Sequence, residues 1–267
     1  MSDLKSHLDS IGFRHFLGDD YWIWGGQELS KLILDKDFQK FEKLQHAIQK
    51  NPNENKSSFY DFIASKKMQH VVHSMKYRAI FSSGQIVDDH ILKTNPSNVL
   101  DFGCNSGYLT TWYAKKYPAI SFVGVDISEP SITLARSITQ KMSLDNLQFF
   151  AGDYQGKVEN QFNLVVDTQT ICEVFNRDRA INWISNRALS ANGQLLSVAQ
   201  TTNKDELASY INNLNKFGLY IQDLSFISFY DLGQRGCYPV ILASKIESEQ
   251  PDIDGFWNDL YDFYTKM

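Results

Sequence analysis

An acidic residue and two glycines lie close together at the end of a short apolar run. Asp101 lies within the run 98–102. Gly103 and Gly107 follow this run, and a helical stretch at 108–117 comes next. Glycine directly after a buried strand lets the backbone turn sharply and approach a ligand, because no Cβ stands in the way. In an open α/β sheet, ligands bind beyond the carboxyl ends of the strands. This spacing predicts a ligand-binding loop.

A second acid ends the next apolar run. The run 122–126 reads Phe-Val-Gly-Val-Asp, and Asp126 follows the glycine loop by about 20 residues, which suits a carboxylate that accepts hydrogen bonds from ribose hydroxyls. Ser128 has the residue type of a helix N-cap, and Pro130 is typical of a first helical turn. These residues predict a cofactor that contains a ribose.

A nicotinamide dinucleotide is one cofactor of this kind, because an acid at the end of the second strand also binds the ribose of a dinucleotide. Its fingerprint, Gly-x-Gly-x-x-Gly, places the diphosphate at a helix N-terminus. Residues 103–108 lack that spacing. Asp101, just before the loop, would repel a diphosphate but suits a positively charged group. The charge therefore favours a cationic cofactor.

Short apolar runs alternate with helical stretches from residue 97 onward, and this alternation predicts a parallel sheet covered on both faces. The strand candidates are 98–102, 121–126, 147–151, 162–166, 194–199, 221–230 and 238–244, and helical stretches are expected between the first five. The link 231–237 is too short for a helix and predicts an antiparallel hairpin. The expected fold is α/β, a doubly wound, mostly parallel seven-stranded sheet that ends in this hairpin.

The flanks of this core are predicted to be helical. Residues 1–95 carry apolar stripes at helical spacing, with a stop at Asn51–Asn53 and a break at Gly84 before a further helix. At the other end, Phe256, Trp257, Leu260, Tyr261 and Tyr264 recur at spacings of three and four. The expected division is a helical lid or substrate region at 1–95, a cofactor-binding core at 96–246 and an aromatic helix at 247–267.

The glycine loop resembles that of the class I S-adenosylmethionine-dependent methyltransferases, in which an acid and a variable residue precede three alternating glycines. Asn105 stands in place of the middle glycine, and asparagine tolerates left-handed backbone angles better than most residues. Further motifs occur in the family's order at Asp126, 152–154, 162–174 and 189–196. The resemblance covers residues 97–245 and is to the small-molecule type.

The resemblance implies S-adenosylmethionine as cofactor and a role for each matching residue. Asp101 and the backbone of Gly103, Asn105 and Gly107 would face the methionine part, and Asp126 the ribose hydroxyls. Asp153 would bind the adenine amino group, with Ile127 and Tyr154 packed on the ring. The alternative for Asp101 and Asp126 is capping of nearby backbone N–H groups, and for Asp153 a turn after Gly152.

The acceptor side is expected just past the fourth strand. Glu173 occupies the place where many small-molecule members of the family carry a histidine, so it is a candidate general base or an anchor for a cationic substrate. Asp167, at the strand tip, is the second catalytic candidate. Both could instead be solvated carboxylates.

Three aromatic residues and one helix of the N-terminal part are further candidates. Tyr21, Trp22 and Trp24 could line the acceptor pocket or belong to the core or a dimer contact. In the family, the helix before the glycine motif often supplies a Tyr or Arg to the cofactor's carboxylate, which makes Tyr77 and Arg78 candidates.

Charge and cysteine content exclude several classes of protein. The chain has 26 Lys+Arg against 31 Asp+Glu, a net charge of −5, which argues against nucleic acid as partner. The three cysteines are odd in number and widely spaced, so neither a disulfide framework nor a zinc ribbon is expected, and no metal site is predicted. With no apolar run near the ~18 residues of a membrane span and charges at the N-terminus, the protein is expected in the cytoplasm.

The function predicted from the sequence is in-line methyl transfer from S-adenosylmethionine to oxygen or nitrogen of a small molecule or biosynthetic intermediate. The alternatives are a protein, peptide or RNA methyltransferase and a non-catalytic module that binds S-adenosylmethionine. A homodimer is compatible with the aromatic flanks.

Overall fold

The computed structural model of the 267-residue chain describes residues 3–11, 37–64, 76–172, 174, 176–201, 203–231 and 234–266. The described residues of the N-terminal part are mostly helical, as predicted, in α1 (Leu4–Ser10), α2 (Phe38–Lys50), α3 (Pro52–Ile63) and α4 (Tyr77–Thr94). Pro52 occupies the first turn of α3 directly after the end of α2, where a missing N–H costs no helical hydrogen bond. None of the helices in the described ranges is long and apolar enough to cross a bilayer.

The break predicted at Gly84 was wrong, because α4 runs through this residue without interruption. A Cβ at Gly84 would lie 2.7 Å from Leu4 Cδ2 and 2.9 Å from Leu109 Cδ2. The glycine therefore allows α1 to pack closely on α4, a requirement that offsets the low helix propensity of glycine.

The core is one seven-stranded sheet with helices on both faces, which confirms the predicted fold class. Its elements are β1 (Asn98–Phe102), α5 (Tyr108–Lys116), β2 (Ser121–Asp126), α6 (Glu129–Lys141), β3 (Leu147–Ala151), β4 (Phe162–Thr168), α7 (Arg177–Trp183), a π-helical turn (Ile184–Ala188), β5 (Leu189–Val198), α8 (Lys204–Lys216), β6 (Tyr220–Asp231), β7 (Gln234–Ser244) and α9 (Ile253–Lys266). The strand order is β3-β2-β1-β4-β5-β7-β6.

The sheet is parallel except at one edge. The first five strands pair in parallel, and β7 pairs antiparallel with both β5 and β6. The chain changes direction of winding at β1, whose Phe102 pairs with Val125 on one side and Asp167 on the other. Such a switch point opens a crevice beyond the strand ends, where α/β proteins bind ligands.

The helix expected between β3 and β4 is absent, since residues 152–161 form an irregular loop. Gly152 and Gly156 in this loop have φ angles of 88° and 78°, and such left-handed residues stop a helix. The loop links the edge strand β3 to β4 on the far side of β1.

Strand β5 begins at Leu189, five residues before the predicted start at residue 194. Leu189 pairs with Phe162, and the pairing shifts register before Leu164 meets Gln194. The family's turn before the fifth strand is therefore part of an irregular strand, which pattern alone does not separate from a turn.

Two apolar clusters cover the two faces of the sheet. One contains α1, α4, α5 and α6 side chains, including Leu4, Val87, Trp112 and Ile132. The other joins the sheet to α7 and α8, with Phe256 and Trp257 of α9 packed against it. Leu260 of α9 is also buried. Tyr261 is 62% exposed, although its spacing in the sequence groups it with the buried residues of this helix.

The central strand should dominate stability. Leu100→Ala on β1, where the side chain is 0% exposed, should lower the free energy of unfolding by about 2–5 kcal/mol, since it leaves a cavity in the core. The measurement is urea unfolding followed by circular dichroism. The matched control is Leu92→Ala, at a side chain 67% exposed, which should change stability by no more than about 0.5 kcal/mol. Equal losses for the two variants would contradict this placement of the core.

Candidate functional site

The loop after β1 turns through three left-handed residues in alternation. Gly103, Asn105 and Gly107 have φ angles of 79°, 51° and 68°. Asn105 therefore adopts the backbone angle of the glycine it replaces, as the sequence predicted. Its side-chain oxygen accepts a hydrogen bond from the N–H of Ser106 at 2.7 Å, which helps to stabilise this turn.

Both glycines of the loop are also required by close packing. A Cβ on Gly103 would overlap Thr170 in the loop after β4, and a Cβ on Gly107 would overlap Phe149 of β3. The loops after β1 and β4 are therefore in direct contact. This contact lies at the carboxyl ends of β1 and β4, at the switch point of the sheet.

Asp101 is a buried carboxyl with one oxygen that lacks a partner. Its side chain accepts a hydrogen bond at Oδ2 from the Thr110 hydroxyl, at 2.6 Å, whereas Oδ1 is buried and has no hydrogen-bond partner among the described residues. Burial, together with the negative charges of Asp167 and Asp126, raises the pKa of Asp101 to about 7. A cation at Oδ1 would favour the ionised form, so this oxygen is a candidate ligand contact.

Asp126, Ile127 and Ser128 form a corner at the end of β2, called the ribose corner after the role predicted for Asp126. The Asp126 carboxylate binds backbone N–H groups of two segments. Its Oδ2 accepts the N–H of Asn105 and its Oδ1 the N–H of Ser128, both at 2.9 Å. Burial raises the pKa of Asp126, while these two N–H groups oppose the shift. Asp126 therefore caps nearby backbone N–H groups, as the alternative interpretation predicted. Each of its oxygens still has a lone pair for a further donor.

The residues predicted to surround adenine lie at the ends of β2 and β3. Ile127 is 64% exposed beside Asp126, so its apolar surface can take part in packing on a ring. Tyr154 packs against Phe102 and Trp183, with ring centroids 5.1 Å and 4.6 Å away. Much of that ring is therefore committed to the protein.

Asp153 is exposed and forms an ion pair with α7. Its Oδ2 accepts a hydrogen bond from Arg179 Nη2 at 2.7 Å, and the same nitrogen lies 2.8 Å from Gln155 Oε1. Exposed pairs of this kind contribute at most about 1 kcal/mol. Arg179 can hold the carboxylate in place, and the alternative of a turn residue remains open because Oδ1 accepts the N–H of Gln155.

Asp167 is fully buried at the end of β4. Its Oδ1 accepts the N–H groups of Thr170 and Ile171, at 2.8 and 2.9 Å, and its Oδ2 accepts the Ser197 hydroxyl at 2.6 Å. Burial nevertheless raises the pKa of Asp167 to about 6. With 0% exposure, Asp167 shapes the loop that follows β4 and does not face an open crevice. Its prediction as a catalytic group remains a prediction.

The other candidates are placed only in part. Tyr21, Trp22, Trp24 and Glu173 lie outside the described residues. Tyr77 is buried at the start of α4, where burial and the charges of Asp9 and Asp3 raise its pKa to about 12. Arg78 follows it on α4 and is half-buried.

Sequence reasoning missed three polar residues that organise the site. Thr110 binds Asp101, Thr170 fills the space beside Gly103, and Asp61 of α3 accepts the Ser128 hydroxyl at 2.9 Å. The position of Thr110 in the first turn of a helix after the glycine loop was a usable signal. Asp61 gave none, because 67 residues separate it from Ser128.

The residues present fit a cofactor with one cationic end and one ribose. The unpartnered Asp101 Oδ1 supplies a buried anionic contact, and Asp126 supplies carboxylate oxygens at the end of the neighbouring strand. A diphosphate in place of the cation would face the carboxyl groups of Asp101 and Asp126, and Coulomb repulsion disfavours that arrangement.

Comparisons with known proteins agree with this fit. The methyltransferase domain family matches residues 93–226. A malonyl-[acyl-carrier protein] O-methyltransferase from Priestia megaterium is 28% identical over 136 residues, 50% of this chain and 48% of that protein. A ribosomal protein L11 methyltransferase from Neisseria meningitidis is 42% identical over 72 residues, 27% of this chain and 23% of that protein.

A solved structure is similar over more of the chain. A proposed O-methyltransferase from Nostoc punctiforme has a TM-score of 0.57 and 16% identity, and the match covers 82% of this chain and 71% of that one. At this identity the likeness concerns the fold alone. The match spans about half the length of the relative from Priestia megaterium and about a quarter of the length of the relative from Neisseria meningitidis. The match to half of this chain, the sheet order and the glycine loop together show that the chain belongs to the class I S-adenosylmethionine-dependent methyltransferases.

Proposed function

We propose that the protein transfers a methyl group from S-adenosylmethionine to an oxygen or nitrogen atom of a small molecule or biosynthetic intermediate. The observation that carries the cofactor side of this proposal is the buried Asp101 carboxyl, whose Oδ1 has no partner among the described residues. Family membership supports methyl transfer as the reaction.

Each end of the cofactor has matching residues in the proposal. Asp101 would bind the ammonium group, Asp126 the ribose hydroxyls, and Asp153 the adenine amino group while Arg179 holds its other oxygen. Ile127 and Tyr154 would pack on the adenine ring. When bound, S-adenosylmethionine supplies a methyl group on a positively charged sulfur.

The remaining task of the chain is to align the acceptor with that methyl group and to remove its proton. Alignment in an enclosed site can supply a large part of the barrier reduction. Glu173, on the chain just beyond the Asp167-anchored loop, is proposed as the base or as the anchor of a cationic acceptor. Asp167 would set the position of that loop through its hydrogen bonds to Thr170 and Ile171.

The acceptor atom is the least constrained part. The relative from Priestia megaterium is by name an O-methyltransferase, which favours oxygen. The relative from Neisseria meningitidis acts by name on a ribosomal protein, which keeps a protein or peptide acceptor as the alternative. The net charge of −5 disfavours RNA. The cytoplasmic location, the homodimer and the division at residues 1–95, 96–246 and 247–267 remain predictions, as do the roles of Tyr21, Trp22, Trp24, Tyr77 and Arg78.

The acceptor class can be tested with S-adenosylmethionine labelled on its methyl group and a fractionated cell extract. We expect the label in a low-mass fraction. Label in protein or RNA would support the alternative methyltransferases. Cofactor binding with no labelled product in any fraction would support a non-catalytic module.

The raised pKa of Asp101 predicts how cofactor affinity depends on pH. The ionised carboxyl binds the ammonium group, and with a pKa of about 7 its ionised fraction rises steeply between pH 6 and pH 8. The affinity for S-adenosylhomocysteine, which keeps the ammonium group, should therefore increase about tenfold over this range. Isothermal titration calorimetry at several pH values measures it.

The control for this prediction is Asp101→Asn, which has nearly the same shape but does not ionise. Asp126 and Asp167 remain in the variant, so the difference in pH dependence isolates Asp101. The variant should bind more weakly at pH 8 and show a flatter pH profile. The same rise in affinity in both proteins would exclude Asp101 as the cationic contact.

Glu173→Gln tests the acceptor side. The substitution keeps the size of the side chain but removes its charge, so turnover should fall by about a hundredfold if Glu173 is a general base. Cofactor affinity should stay within about twofold, because the proposed partner of Glu173 is the acceptor and not the cofactor. Steady-state kinetics and calorimetry provide the two readouts. Wild-type turnover at saturating acceptor would remove Glu173 from the catalytic residues.

A further inference from the structure

A helix that precedes the methyltransferase domain reaches the ribose corner. Helix α3 lies outside the matched residues 93–226, yet Asp61 Oδ1 accepts a hydrogen bond from the Ser128 hydroxyl at 2.9 Å. Helix α3 also packs against α2, with the rings of Phe41 and Phe59 5.8 Å apart. The contact therefore connects the helix pair α2–α3 to the cofactor-binding domain.

Ser128 links two carboxylates through different atoms. Its backbone N–H donates to Asp126 at 2.9 Å, and its hydroxyl donates to Asp61. The same hydroxyl oxygen accepts the N–H of Ser131 at 3.3 Å. Because a serine hydroxyl has one proton, that proton is committed to Asp61. A displacement of Asp61 is thus felt at the residue that holds Asp126.

The burial of Ser128 supports a specific docking of α3 at this place. Ser128 is 0% exposed, although the neighbouring Ile127 is 64% exposed and Glu129 is exposed as well. The start of α6 is therefore covered on one side and open on the other. The open side carries Ile127 and Asp126, the predicted contacts for adenine and ribose.

The two carboxylates also affect one another electrostatically. The pKa of Asp126 is raised chiefly by burial, and the negative charge of Asp61 adds to the shift. The N-terminus of α6 stabilises negative charge nearby, and the N–H groups of Ser128 and Asn105 stabilise Asp126 directly. Hydroxyl donors from a ribose would add to these. A ligand that fixes Asp126 also fixes the Ser128 N–H that donates to it, and the Ser128 hydroxyl in turn holds Asp61.

We propose that Asp61 is a positioning residue that couples the docking of α3 to cofactor binding at the ribose corner. By reciprocity, a docked α3 strengthens cofactor binding by the factor by which the cofactor strengthens docking. This inference rests on the proposed function, because it takes the ligand of Asp126 to be S-adenosylmethionine or its product.

Hydrogen exchange of the full-length protein, with and without S-adenosylhomocysteine, tests the coupling. In the wild type, the amides of residues 52–64 should exchange at least about threefold more slowly when the ligand is bound. In Asp61→Ala this slowing should be lost. The matched control is Asp145→Ala, an exposed acid before β3 at the opposite end of the sheet, which should keep the wild-type response.

Binding measurements on the Ser128 partner separate coupling from simple docking. Asp61→Ala should weaken S-adenosylhomocysteine binding about three- to tenfold. Ser128→Ala removes the same hydrogen bond together with the helix cap, so it should weaken binding at least as much. The double variant should bind no more weakly than Ser128→Ala, since the loss of Asp61 then removes no further interaction with Ser128. Ser128→Thr, which keeps the hydroxyl and the helix cap, should restore binding and the exchange response.

The outcomes distinguish this inference from the proposed function. Ligand binding to the wild type with unchanged exchange at 52–64 would overturn the coupling and leave the proposed function standing. Additive losses in the double variant would also overturn it. Failure of the wild type to bind S-adenosylhomocysteine at all would overturn both.

Discussion

The burial of the Asp101 carboxyl is the constraint on which the site depends. An acid with one unpartnered oxygen is costly to bury, and its pKa of about 7, against an ordinary 3.8, expresses that cost. Because the folded state raises this pKa, the contribution of Asp101 to the stability of the cofactor-free protein is greatest below about pH 4 and is lost as pH rises through 7. A bound cation would stabilise the ionised Asp101 carboxyl and offset the cost of its burial. The buried acid that destabilises the empty protein therefore favours a positively charged ligand.

The sheet topology explains why this acid lies beside two others. Asp101, Asp126 and Asp167 belong to three neighbouring parallel strands, β1, β2 and β4, and all lie at or near their carboxyl ends. Helices α5 and α6 leave from the first two of these ends, and a loop held by Asp167 leaves from the third. The three acids have different partners. Asp101 accepts a hydrogen bond from a threonine hydroxyl, and Asp126 accepts two from backbone N–H groups. Asp167 accepts hydrogen bonds at both of its oxygens, from two backbone N–H groups and a serine hydroxyl. Asp101 alone of the three has an oxygen without a partner among the described residues.

Local pattern was sufficient for the core and insufficient for contacts between distant segments. The bounds of β1, β2 and β3 matched the prediction because each is a compact apolar run followed by a turn residue, and the left-handed Asn105 followed from the motif. The loop at 152–161 was mistaken for a helix because strand–helix alternation was assumed to continue. Gly84 was taken as a break because its packing partner Leu4 is remote in sequence. For the same reason, neither the Asp61–Ser128 hydrogen bond nor the hydrogen bond from Ser197 to Asp167 could be predicted from local pattern.

The central claim is that the crevice at the ends of β1 and β2 binds a cationic, ribose-containing cofactor. Calorimetric titration of the full chain with S-adenosylmethionine and, separately, with a nicotinamide dinucleotide tests it most directly, with Asp126→Ala as a third sample whose folding is checked by circular dichroism. We expect saturable binding of S-adenosylmethionine and no detectable binding of the dinucleotide. In Asp126→Ala we expect a severe loss of affinity for S-adenosylmethionine. Comparable binding of the dinucleotide, or unchanged affinity in a folded Asp126→Ala protein, would contradict it.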